Sequence, residues 1–162
     1  MRTRALVVLP AALLLAATPR PMTVPERTYL PDAAASQVVT VTESGPAAAG
    51  LTVVTEALAV KESGPRATVR AFGEVYAFAP AFLAVHRDEP TEIGFWNLQP
   101  DDLHDVMLVA PDGRVLMHVV LQPLRRTSWV FTFHQEGLFT FHCTMHQPEM
   151  SGQILVLRPA PG

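Results

Sequence analysis

The chain has 162 residues, a formal net charge of −3, and a charged fraction of 17% against 49% hydrophobic. That suffices for one domain with a real core, is too little for two large ones, and argues against disorder. No basic tract is present, which argues against nucleic acid as a partner, and the single cysteine excludes an intrachain disulfide framework.

Arg2 and Arg4 precede an apolar run over residues 5–17, interrupted only by Pro10. The run is shorter than the roughly 18–20 residues that cross a bilayer. With small Ala16 and Ala17 at its end it reads as a secretory signal peptide over residues 1–20, an uncleaved anchor being the alternative. The expected location is the periplasm or the extracellular space, with no stable membrane insertion after cleavage. A lone thiol in an oxidising compartment is a liability unless it is buried or tied to a metal.

Residues 21–66 read as an N-terminal extension. Its first part, to residue 35, is rich in Pro and Ala and resembles a linker. The β-branched runs at 38–42 (VVTVT) and 51–55 (LTVVT) predict added strands. From 67 to 159 short β-branched or aromatic segments recur at 68–72 (TVRAF), 81–86, 92–97 (EIGFWN), 105–109 (DVMLV), 115–120, 128–133 (SWVFTF), 137–142 (GLFTFH) and 153–157 (QILVL). Turn sequences separate them, so the expectation is a single all-β domain, an antiparallel sandwich.

The chemistry concentrates in FTFHCTMHQPEMSG, residues 139–152. Cys143, His146 and Met150 offer a thiolate, an imidazole and a thioether at the end of one strand and in the loop before the next. His104 opens another strand upstream (HDVMLV). Soft sulfurs favour Cu(I) and imidazoles suit Cu(II), so this donor set suits one copper ion that must cycle between the two. Zinc accepts the cysteine and histidines but has no use for the thioether. An inert buried thiol would leave the other three residues unexplained, and a cysteine nucleophile lacks any evident oxyanion donors.

These residues resemble the cupredoxins, the small blue-copper proteins such as plastocyanin, pseudoazurin and amicyanin. His104-Asp105-Val106 is similar to the family's first ligand, usually followed by Asn-Val, and Cys143-Thr144-Met145-His146 with Met150 is similar to its second ligand loop. The stretch from Tyr76 to Val85 and Phe95-Trp96-Asn97 are similar to strands flanking the metal half. The resemblance implies a Greek-key β-sandwich holding one copper on His104, Cys143 and His146, with Met150 as the weak axial contact. Met145 and Glu149 are alternatives for that last place. It implies one-electron transfer between redox proteins (a cytochrome, oxidase or reductase) by a monomer that is not an enzyme. The other readings are a copper-delivery protein using the same ligands and a metal-free structural domain.

Asp105 departs from the family's Asn, whose side chain ties the two ligand loops together. A carboxylate accepts such a bond but donates none unless protonated. His142 alternates away from Cys143 and is expected at the surface. His86, His118 and His134 lack ligand-like spacing and are read as solvated or structural.

Overall fold

The computed structural model describes residues 28–159, so the expected signal peptide lies outside the described residues. In chain order the strands are β1 (Val39–Thr42), β2 (Ala49–Ala59), β3 (Val75–Ala79), β4 (Phe82–His86), β5 (Thr91–Asn97), β6 (His104–Val109), β7 (Val115–Leu121), β8 (Arg125–Phe133), β9 (Gly137–His142) and β10 (Ser151–Leu157). One short helix, α1 (Arg66–Phe72), joins β2 to β3. The strands form two sheets, ordered β1-β8-β5-β2-β3 and β4-β10-β9-β6-β7.

The expected sandwich is present, but its sheets are mixed rather than wholly antiparallel. β2 runs parallel to β5, and β10 runs parallel to β4. β1 and β2 come from the segment read as an extension with added strands, and both belong to the sheet; β2 lies between β5 and β3. Residues 28–35 are likewise not a free linker, because Tyr29 exchanges backbone hydrogen bonds with His118 and so covers the outer edge of β7. Residues 68–72, expected as a strand from their β-branched pattern, lie in α1. Pro65 at the N-cap and Gly73 at the C-cap, with φ 83°, supply start and stop signals that outweigh the local β propensity.

Alternation decides the inward faces. Along β9 Phe139 and Phe141 are buried, and along β1 Val39 and Val41. Phe78, Phe95 and Phe141 pack together with ring centroids 5.3–6.2 Å apart, filling the space between the sheets.

The topology also determines where the site lies. β6 pairs antiparallel with β9, so the beginning of β6 sits beside the end of β9. His104 opens β6 and Cys143 follows β9 directly, which brings residues 39 apart in sequence to one end of one sheet. β10 pairs with β9 in turn, so the ligand loop between them is anchored at both ends.

Candidate metal centre

His104 Nδ1 lies 3.1 Å from His146 Nδ1, and Cys143 Sγ lies 3.9 Å and 3.5 Å from those two nitrogens. His104 and Cys143 are fully buried, whereas His146 is half-buried. Metal bonds to nitrogen and thiolate run about 2.0–2.3 Å. Donors separated by 3.1–3.9 Å can therefore all reach one ion between them. Among the described residues this is the one cluster of His, Cys, Asp or Glu placed to hold a metal.

His104 is held by the sheet. It pairs with Leu121 in the β6–β7 register, and buried Asn97 secures the loop ahead of it. The Asn97 amide donates to Asp102 O at 2.8 Å and to Leu121 O at 3.1 Å. Its Oδ1 accepts the backbone N–H of Gln99 and the hydroxyl of Thr55. Tyr76, also buried, packs its ring against both imidazoles, with centroids 4.9 Å from His104 and 4.6 Å from His146, and its hydroxyl donates to Asp102.

The loop carrying the other donors is held mainly by bonds within its own turn. Cys143 N–H donates to Met150 O and Met150 N–H donates to His146 O, both at 2.9 Å. Met150 is fully buried at the foot of the loop, while Met145 and Glu149 are exposed. Ser151 donates its N–H to Glu149 O and its hydroxyl to Pro148 O, and the tie to β6 is Asp105, whose Oδ1 accepts the Thr144 N–H at 2.6 Å and whose Oδ2 accepts the Thr144 hydroxyl. Asp105 thus bridges the two segments through hydrogen bonds in which it is the acceptor.

Burial governs the protonation of the donors. It pushes the Cys143 thiol up to about 12; the backbone N–H groups of Asp105 and Met145 pull the other way, and the Asp105 carboxylate adds to the rise. His104 is lowered to about 4 by burial and by the neighbouring His146, and His146 is lowered mainly by burial. Without a metal the cluster is thus a neutral thiol facing two neutral imidazoles, so metal binding must expel the thiol proton. His104 Nε2 is buried without a partner among the described residues.

The other histidines separate clearly. His86 bonds to Arg158 O, and His134 lies between Thr40 and Asp88, all at the periphery. His142, expected at the surface, is half-buried, with its pKa lowered by burial. His118 is fully buried and bonded to Asp105. Sequence reading missed the parts played by Tyr76, Thr144 and His118. An ionisable His118 inside the apolar run VLMHVVL was the one available signal for the last.

No family model and no curated protein matches the sequence. Solved structures do. Auracyanin B aligns with a TM-score of 0.53 at 15% identity, covering 75% of this chain and 99% of its own. The fold is that of the cupredoxins. A multicopper oxidase from Campylobacter jejuni aligns with the same TM-score at 11% identity, and the cupredoxin fold seen here spans 31% of that longer chain. A mutant of amicyanin aligns with a TM-score of 0.45 at 22% identity, over 74% of this chain and 98% of its own. Among the described residues, no helix of this cupredoxin fold is long and apolar enough to cross a membrane.

Proposed function

We propose that His104 Nδ1, Cys143 Sγ and His146 Nδ1 would hold one copper ion, with the Met150 thioether as a further, weaker donor. The chain then serves as an exported, non-enzymatic carrier of single electrons between larger redox proteins. The observation that carries this reading is the convergence of two imidazole nitrogens and one thiol sulfur, each 3.1–3.9 Å from the next, at one end of a sandwich of cupredoxin fold. Copper supplies the one-electron couple, and the chain's own residues supply the rest.

Strand pairing and Asn97 immobilise His104, and Tyr76 wedges against both rings. A donor set that cannot rearrange keeps the cost of changing oxidation state low. Burial of Cys143 excludes water from the sulfur. His146 alone of the three donor residues reaches the surface, which makes its ring edge the natural point of electron entry and exit.

Self-exchange between copper-loaded oxidised and reduced protein tests the role. A carrier exchanges electrons through many cycles and retains its copper when challenged with a Cu(I) chelator at low excess. Prompt surrender of the copper to the chelator, with negligible self-exchange, would replace this reading with copper delivery.

A further inference from the structure

Beneath the ligand loop, on the outer face of its sheet, lies a polar triad that the donor set does not explain. His118 stands in the middle of β7, fully buried, and its Nε2 lies 2.7 Å from Asp105 Oδ2. Asp105 is also fully buried, and its remaining contacts are the two bonds from Thr144. We propose that His118 is the positioning residue of this centre, holding the Asp105 carboxylate toward Thr144 and so locking the loop that begins at Cys143. This deepens the copper reading and rests on it where the centre's spectrum is concerned.

Asp105 pairs with Val120 and Met107 with His118, so His118 is the diagonal neighbour of Asp105 on one face of the sheet. That face is closed over His118 by Tyr29, whose ring centroid lies 6.2 Å from the imidazole. A carboxylate accepting from Thr144 through both oxygens can still rotate about its terminal torsion, which is soft. A third donor from the far side removes that freedom. His118 must donate through Nε2, since the carboxylate it faces is already an acceptor from Thr144. Its Nδ1 is buried with no partner among the described residues, so the Asp105 contact is the one hydrogen bond its ring makes there.

The chain of contacts runs from β7 to the metal end without a gap. His118 fixes Asp105, Asp105 fixes the Thr144 N–H and hydroxyl, and Thr144 follows the cysteine whose sulfur faces the two imidazoles. Asp105 is itself next to His104, so one carboxylate keeps both ligand segments in register.

The test compares the full chain with His118→Leu and His118→Gln, since glutamine restores an N–H donor. In the metal-free protein, amide hydrogen exchange at Thr144 is expected to quicken tenfold or more in His118→Leu, relative to core amides such as Ile93, and to return toward the parent rate in His118→Gln. After copper loading, the thiolate charge-transfer band should shift in the Leu variant and recover in the Gln variant. Unchanged Thr144 protection and an unmoved band in a folded His118→Leu protein would overturn the proposal. Should the Leu variant fail to fold, nitrogen-15 NMR of the unsubstituted metal-free protein decides. A protonated Nε2 with bare Nδ1 is required, and the opposite tautomer overturns the proposal. Failure of the unsubstituted protein to bind copper would sink the copper reading alone, because exchange and tautomer are read without metal.

Discussion

The two segments that meet at the centre are built differently. His104 belongs to a strand, paired on one side with β7 and preceded by a loop that Asn97 secures in four hydrogen bonds. Cys143, His146 and Met150 sit in a turn tied by short-range bonds of its own, three between backbone groups and one from the Ser151 hydroxyl to Pro148 O, and tied across to β6 by the Asp105 side chain. A ligand fixed by sheet register costs little extra sequence. A loop needs side chains reaching it from elsewhere, and at Thr144 the Asp105 carboxylate, in contact with His118, does so.

Substitution of the donor itself has the largest expected effect. Cys143→Ser removes the one thiolate and abolishes coloured copper binding, while circular dichroism stays that of the folded sandwich, because Ser is of similar size. On the strand side, Asn97→Ala strands the carbonyls of Asp102 and Leu121 and opens a small cavity. That should lower stability by roughly 2–4 kcal/mol, read as a lower urea midpoint.

Acid should act on the same end in the metal-free protein. An unfolded histidine takes its proton near pH 6.5, whereas folded His104 does so only near about 4. Through that window the unfolded chain binds more protons, so the His104 contribution to stability falls as pH drops from about 6.5 to about 4 and changes no further below. The loss from His104 is on the order of 2 kcal/mol, allowing for partial solvation, and urea titrations of metal-free protein across that range measure it. The smallest effect is on the loop side. Met150→Leu keeps the colour and raises the reduction potential, read by redox titration, because even a soft donor offsets the higher charge of Cu(II) more than that of Cu(I), and its loss therefore costs the oxidised state more.

The same contrast explains what could be read from the sequence. Cys143, His146 and Met150 are close in the chain, and His104 opens a recognisable strand, so the candidate donors could be picked out without the fold; the structure brings His104, Cys143 and His146 together. Most strands were legible from β-branched and aromatic runs, such as SWVFTF for β8 and GLFTFH for β9. Helix α1 was missed because its alternating TVRAF outweighed the Pro65 and Gly73 that bound it. The parallel pairings escaped because they join segments far apart in the chain, β2 with β5 and β4 with β10, which no local pattern encodes. The His118–Asp105 contact escaped for the same reason, since it depends on the register between β6 and β7.

The visible spectrum of the full chain loaded with one equivalent of Cu(II), then titrated with a reductant, tests the central claim most directly. The account predicts an intense thiolate-to-copper charge-transfer band that bleaches with one electron, returns on reoxidation, and is absent from Cys143→Ser. Copper bound without that band, or a band that survives in Cys143→Ser, would contradict it.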